Sequence, residues 1–133
     1  MKRQKILYHG TCRAFLAYAL ENKGLFGPED GEVSFTPNIN HAIDFSEQWG
    51  RKYGVKNLEN YFGKEIDKQL REPILLEIEP RNLNLQYRKD CGADEYYINH
   101  SLDLSKIKKI YFKEGIEELL KGGKINYGKN DDI

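Results

Sequence analysis

The segment KILYHGTCRAF, residues 5–15, places a histidine directly before a glycine at the end of an apolar run. His9 is one of three histidines in this chain of 133 residues. Gly10 has no Cβ, so its backbone can approach a ligand closely. An imidazole beside an accessible peptide N–H and C=O can hold a planar amide and a hydroxyl group together. The pair therefore predicts a ligand-binding turn, and the alternative is a histidine that hydrogen-bonds to a neighbouring loop.

A second candidate is the carboxylate of Glu95 in the segment GADEYYINH. If this segment is a strand, Glu95, Tyr97 and Asn99 share one face, because side chains alternate along a strand. A fixed carboxylate among aromatic rings can stabilise a cationic transition state, as carboxylates do when glycosidic bonds are cleaved. The alternative is a solvent-facing carboxylate on a half-exposed sheet.

A third candidate is the segment SFTPNINHAIDF, which joins a short strand to a helix. Ser34 lies in the predicted strand, and Phe45 follows eleven residues later on the predicted helix. The ring of Phe45 could stack on a flat ligand, and the alternative is a place in the hydrophobic core.

The two cysteines, Cys12 and Cys91, do not form a CxxC pair. A zinc site would need more ligands at closer spacing, so we predict no bound metal. A cysteine–histidine nucleophile pair is one interpretation of these residues. The other, which we expect, is two reduced thiols in or near the core.

The composition is that of a soluble globular domain, with 39% hydrophobic and 32% charged residues. Lysine plus arginine and aspartate plus glutamate each total 21, and zero net charge argues against a protein that mainly binds phosphate backbones. The length fits one domain over residues 1–133, with a frayed tail at 125–133. No apolar stretch has the length of a membrane span or signal peptide, so we expect a cytoplasmic protein.

These candidates must be positioned by strands and helices that the apolar spacing predicts. We expect strands at 5–9, 33–37, 73–80, 83–88, 94–100 and 107–112, and helices at 13–23, 41–54, 57–72 and 115–123. A turn is the alternative for 83–88, and a segment that is partly a mobile loop is the alternative for the weakly amphipathic 57–72. Asn40 is the expected N-cap of the second helix, and Ala42, Phe45 and Trp49 are expected to share one of its faces. The order β-α-β-α-α-β-β-β-β-α indicates an α+β fold with a mostly antiparallel sheet.

Taken together, Y-H-G-T, S-F-T followed by a helix with Phe45, and D-E-Y-Y-I-N resemble the mono-ADP-ribosyltransferase superfamily. The more similar branch is its His-Tyr-Glu group, which contains diphtheria toxin and the poly(ADP-ribose) polymerases. In that group a first strand ends in Y-H-G-[TS], and a second strand leads into a helix with an aromatic residue. A later strand carries the catalytic glutamate before Tyr and Ile or Val. All three blocks occur here in this order, between residues 8 and 99.

The resemblance implies an ADP-ribosyltransferase-like fold, a mostly antiparallel split sheet with helices inserted in its N-terminal half. It also implies NAD as co-substrate, with no metal. His9 would bond a ribose hydroxyl of NAD, the Gly10 backbone would hold the nicotinamide carboxamide, and Thr11 would support that turn. Phe45 would stack on the nicotinamide ring. Glu95 would bond the ribose 2′-hydroxyl and stabilise the oxocarbenium-like transition state.

The sequence departs from the family pattern at two positions. The central tyrosine of the group aligns with Ser34, and Tyr8 or another of the nine tyrosines could take its place in binding NAD. Members that modify arginine carry Glu or Gln two positions before the catalytic glutamate, where this chain has Ala93. An arginine acceptor is therefore not expected.

The resemblance implies transfer of ADP-ribose to a macromolecular acceptor, with a protein side chain in a host or competitor as the leading expectation. Small stand-alone members of the family act as effectors, toxins or phage inhibitors of host systems. One alternative is a module that binds NAD, ADP-ribose or a partner without catalysis. Another is an enzyme of the same fold that acts on nucleic acid. No membrane partner is expected.

Acceptor recognition would fall to the loops and to the segment just before the catalytic glutamate. The loops concerned are 25–32 and 50–72. In the segment QYRKDCGAD, the candidates for target contact are Arg88, Lys89 and Asp94. The alternative for each of the three is a solvated charge on an exposed loop.

Overall fold

Six strands and four α-helices form the part of the chain that this computed structural model describes, residues 6–27, 31–90 and 92–121. In chain order they are β1 (Leu7–Cys12), α1 (Arg13–Asn22), β2 (Val33–Phe35), α2 (Ile39–Glu47), α3 (Lys52–Phe62), β3 (Pro73–Ile78), β4 (Gln86–Asp90), β5 (Ala93–Ile98), β6 (Ile107–Tyr111) and α4 (Lys113–Leu119). Short 3-10 helices cover Gln48–Gly50, Lys68–Arg71 and Leu104–Lys106. The predicted order of elements and the α+β class are confirmed.

The six strands form two antiparallel three-stranded sheets, ordered β1–β3–β6 and β2–β5–β4. One bridge joins them, because the Tyr8 and Thr36 peptides exchange two hydrogen bonds with N–O distances of 2.8 and 2.9 Å. The bridge is antiparallel, so pairing toward the end of β1 would continue between Gly10 and Ser34, and these two residues do not pair. The two sheets therefore separate beyond this bridge, and the last residues of β1 lie beside the separation.

Strand β3 forms the centre of the first sheet and is buried on both faces, as its continuous apolar run predicts. Its four fully buried side chains are Ile74, Leu75, Leu76 and Ile78. Leu75 packs with Ala42 and Ile43 of α2, while the other three belong to the larger core cluster that includes residues of both sheets. This central strand fixes the position of β1, which pairs with it along its whole length.

Helix α2 packs directly against β1, and Gly10 makes this approach possible. A Cβ built on Gly10 would lie 2.0 Å from the carbonyl oxygen of Ala42 and 2.8 Å from the peptide nitrogen of Ser46. Both atoms belong to the helix backbone and cannot rotate away. The missing side chain is therefore needed for helix packing, a reason that the sequence interpretation, based on ligand approach alone, did not include.

The predicted start of α2 is wrong. The N-cap is Asn38, whose Oδ1 accepts a hydrogen bond from the His41 N–H at 3.0 Å. Asn40 lies inside the first turn and is buried. The buried face contains Ala42, Ile43 and Ser46, because this face meets β1, and Phe45 is left 42% exposed.

Other element boundaries also differ from the prediction. β1 runs from residue 7 to residue 12 instead of 5–9, because β3 pairs with it as far as Cys12 and Pro73. The predicted helix 57–72 is instead α3, which ends at Gly63 in the left-handed region with φ of 72°, followed by a 3-10 helix. The predicted tail 125–133 lies outside the described residues. No helix within the described ranges combines the length and apolar character that crossing a bilayer requires.

Candidate functional site

An open cleft lies where the two sheets separate, between β1, β2, α2 and β5. It encloses about 650 Å³, counting its solvent-filled mouth. All seven residues predicted to act on or bind a ligand line this cleft: Tyr8, His9, Gly10, Thr11, Ser34, Phe45 and Glu95. The fold therefore brings together residues that are up to 87 positions apart in the chain.

His9 is fixed in the cleft wall by the backbone of the other sheet. Its Nδ1 lies 2.6 Å from the carbonyl oxygen of Ser34, so Nδ1 carries the proton and donates it. Its ring lies 5.9 Å from that of Phe35. Burial lowers the pKa of His9 below its ordinary value of 6.5, which favours the neutral ring. The neutral tautomer leaves Nε2 as a hydrogen-bond acceptor for a ligand hydroxyl.

The peptide groups of Gly10 face the cleft. In an antiparallel strand the N–H and C=O of alternate residues point to the same side. The Tyr8 peptide groups point to Thr36, away from β3, and the Gly10 groups two residues later share this direction. Because pairing stops at Thr36, Gly10 can offer one donor and one acceptor side by side to a planar amide.

Glu95 is a buried carboxylate on β5, only 7% exposed. Its Oε1 accepts a hydrogen bond of 2.9 Å from Nε of Arg88, the residue directly opposite it on β4. Arg88 also contacts Glu32, at 2.7 Å from Nη2 and 3.3 Å from Nη1. The hydrogen bonds that Arg88 donates to Glu95 and Glu32 raise the pKa of Arg88 further, so the guanidinium remains charged.

The three residues predicted to contact an acceptor lie in different environments. Arg88 lies beside Glu95 at the cleft edge, with its side chain 40% exposed. Lys89 and Asp94 pair with each other at 3.0 Å on the opposite face of the β4–β5 hairpin, where the Tyr87 hydroxyl also donates to Asp94 at 2.7 Å. These contacts lower the pKa of Asp94, chiefly through the tyrosine. Contact with an acceptor stays a prediction for all three.

Two of the predicted aromatic contributors differ in their availability. Phe45 projects from α2 with 42% of its surface exposed, and its ring meets the His41 ring in a T-shaped arrangement at a centroid distance of 5.8 Å. Tyr8 lines the cleft too, but its ring packs in the cluster around Ala42 and Ile43, on the other face of β1 from His9. Tyr8 therefore does not supply a second ring facing His9.

Other cleft residues were missed or given another role by the sequence interpretation. Trp49 and Phe26 contribute aromatic surface, and Glu32 contributes a second carboxylate. Trp49 belongs to the stripe of Ala42, Phe45 and Trp49 that was predicted as one face of a helix; all three line the cleft. Nothing in the sequence around Glu32 indicates its contact with Arg88, because strand pairing alone brings them together.

Cys12 lies away from the chemistry of the cleft. Cys12 is fully buried in a cluster with Phe15 and Trp49, and burial raises the pKa of its thiol. It lies on the other face of β1 from His9, so the two form no nucleophile pair. Cys91 lies outside the described residues. Within those residues, no group of three or more potential ligands is placed to hold a metal ion.

Comparison with known proteins reveals a related structure but no family. No protein family and no curated protein matches this sequence. Two solved structures of protein CC0527 from Caulobacter crescentus, one of them a double mutant, match with a TM-score of 0.55. They are 16% and 15% identical in sequence, and each match covers 81% of this chain and 85% of that chain. The likeness therefore concerns the fold alone, and the name of that protein states no activity.

Proposed function

We propose that this protein is an NAD-dependent mono-ADP-ribosyltransferase, which cleaves the nicotinamide–ribose bond and transfers ADP-ribose to a macromolecular acceptor. The single observation that carries the proposal is that His9, the Gly10 peptide, Phe45 and Glu95 meet at one cleft, although three different elements contribute them. In the sequence these same residues carry the resemblance to the His-Tyr-Glu group. The sequence resemblance and the meeting of these residues at one cleft are separate observations.

The cleft has the groups that the nicotinamide and ribose end of NAD requires. The Gly10 N–H and C=O match the carbonyl and amino groups of a primary carboxamide. Nε2 of His9 accepts a hydrogen bond from a ribose hydroxyl, and the partly exposed ring of Phe45 provides a surface for a planar ring.

Glu95 supplies the electrostatic part of the reaction. When bound, NAD provides a glycosidic bond whose electron pair leaves with nicotinamide while an acceptor nucleophile adds to the ribose carbon and loses a proton. The carboxylate of Glu95 is shielded from water, so its attraction for positive charge developing on the ribose is weakly screened. Oε1 is held by Arg88, and Oε2 can accept the 2′-hydroxyl.

The test is nicotinamide release from NAD by purified protein, with and without a host lysate as acceptor source, comparing wild type with Glu95→Gln. The substitution preserves shape and removes charge, so we expect release to fall on the order of 10²- to 10³-fold. NAD affinity by calorimetry should change less than about threefold.

The matched control is Glu77→Gln, which removes a carboxylate from β3 outside the cleft, where it accepts the Tyr111 hydroxyl at 2.6 Å. Its turnover should equal that of wild type. Equal turnover of Glu95→Gln and wild type would refute the assignment of Glu95. Biotin-labelled NAD in the same lysate identifies the acceptor, which we propose is a protein side chain, with nucleic acid as the second class.

A binding module without catalysis is the second candidate function. Two observations favour it: Ser34 stands at the aligned position of the family tyrosine, and Oε1 of Glu95 is already bonded to Arg88. This candidate requires NAD or ADP-ribose binding by calorimetry together with no nicotinamide release under any acceptor condition. Release that depends on Glu95 would exclude it.

A further inference from the structure

The guanidinium of Arg88 is shared between two carboxylates at the edge of the cleft. Nε donates to Oε1 of Glu95 at 2.9 Å, whereas Nη2 and Nη1 donate to Glu32 at 2.7 and 3.3 Å. The ring of Tyr97 covers the guanidinium, with Cζ 4.2 Å from the ring centroid. Arg88 is therefore held on both sides and on one face, and its orientation is set mainly by Glu32, which takes two of the three hydrogen bonds.

This sharing leaves one oxygen of Glu95 uncommitted. An arginine with a single carboxylate partner commonly binds both of its oxygens through two parallel N–H groups. Here the terminal nitrogens are turned toward Glu32, and only Nε reaches Glu95. Within the described residues, Oε2 of Glu95 receives no hydrogen bond.

The sharing also leaves the cluster negatively charged. One guanidinium between the carboxylates of Glu32 and Glu95 gives a net charge of −1 beside the cleft. If Arg88 bound Glu95 alone, the guanidinium and the carboxylate would form a neutral pair, and such a pair attracts a cationic transition state less strongly. Glu32 therefore affects both the free oxygen and the charge available at Glu95.

We propose that Glu32 is a positioning residue, which holds the terminal nitrogens of Arg88 away from Glu95 so that Glu95 keeps a free oxygen for substrate. The inference rests on the proposed function, in which that oxygen meets the ribose. Glu32 acts through Arg88 and not on the substrate. Its loss therefore lets Arg88 close on both oxygens of Glu95.

The kinetic test compares Glu32→Gln, Arg88→Gln and the double variant in the nicotinamide-release assay. For Glu32→Gln we expect kcat to fall about tenfold with KM for NAD within about twofold, because both oxygens of Glu32 are bonded to Arg88 and do not hold NAD. In the Arg88→Gln background the Glu32→Gln change should lower kcat clearly less than the fall of about tenfold in wild type, because only the charge of Glu32 is lost and no guanidinium remains to be redirected. Glu32→Asp, which keeps the charge, should recover most of the activity.

The matched control is Glu72→Gln. Glu72 accepts a hydrogen bond from Nε of Arg13 at 3.0 Å, and its side chain is 31% exposed, against 25% for Glu32. This variant removes a similar ion pair outside the cleft and should leave kcat unchanged. An unchanged kcat in Glu32→Gln, a change in KM alone, or additive effects in the double variant would each overturn the inference.

A second measurement does not depend on activity. The Nε–H signal of Arg88, assigned by its loss in Arg88→Lys, reports by hydrogen exchange how firmly the guanidinium is held. In Glu32→Gln we expect this exchange not to become faster, because Arg88 loses its contacts with Glu32 but then holds Glu95 through two parallel N–H groups instead of one. Faster exchange would overturn the inference. If wild type releases no nicotinamide, the proposed function fails, and this measurement still decides whether Glu32 controls the contact between Arg88 and Glu95.

Discussion

Replacing Gly10 with alanine tests whether the close approach of α2 to β1 limits this position. The added Cβ would lie 2.0 Å from the Ala42 carbonyl oxygen, whereas ordinary contact begins at 3.4 Å. The helix would have to move by about 1 Å or more, because the atoms it meets are backbone. Overpacking of this kind costs about 1–3 kcal/mol, occasionally more, and two backbone contacts place the expected loss near about 3 kcal/mol.

The measurement is urea denaturation of Gly10→Ala. With a typical slope of about 2 kcal/mol per molar urea, the midpoint should fall by about 1.5 M. The control is Gly50→Ala, because a Cβ on Gly50 meets nothing within 4 Å, and its free energy of unfolding should stay within about 0.5 kcal/mol of wild type. A Gly10→Ala protein as stable as the control would refute the packing argument. If such a protein also lost NAD binding, ligand approach alone would explain the glycine.

Two further predictions concern the cleft. Phe45→Ala should weaken NAD binding about tenfold, from lost stacking, and lower the free energy of unfolding by about 1 kcal/mol or less, because Phe45 is 42% exposed. Calorimetry measures the NAD affinity, and urea titration measures the free energy of unfolding. The control Tyr53→Ala, at a residue 79% exposed on α3, should change neither quantity. An unchanged NAD affinity in Phe45→Ala would contradict the stacking role. Burial lowers the pKa of His9 from 6.5, so below that pH the unfolded chain binds more protons at this residue than the folded chain does. The contribution of His9 to the free energy of unfolding should therefore rise with pH up to about 6.5 and then level off. His9→Gln should reduce the difference between urea midpoints at about pH 5.5 and about pH 7.5, and an unreduced difference would exclude His9 as its source.

Local patterns were sufficient for the elements of this fold but not for their faces. The apolar run of β3 between two prolines predicted a doubly buried strand, and the structure confirms it. The spacing of Ala42, Phe45 and Trp49 predicted one helix face, yet α2 ends at Glu47 and turns a different set of residues toward β1. Spacing identifies residues that share a side of a helix, but the neighbouring element decides which side is buried.

The candidate site also has features that the sequence predicted and features that it did not. His9 and Gly10 could be singled out because they are adjacent in the chain, and their chemistry follows from residue type. The second reason for Gly10, the approach of α2, involves residues more than 30 positions away and leaves no local signal. The sequence predicted Asn40 as the cap of α2, whereas the helix begins two residues earlier and Asn38 caps it.

By itself, the sequence determined the order of strands and helices and the residue types available for chemistry, because both depend on neighbours along the chain. Only the tertiary structure decided that Arg88 stands opposite Glu95 and also reaches Glu32, 56 residues earlier. That arrangement depends on the β4–β5 register and on β2 pairing with β5. A register change of one residue would turn Arg88 to the other face, so the charge sharing is a property of strand pairing and not of any segment.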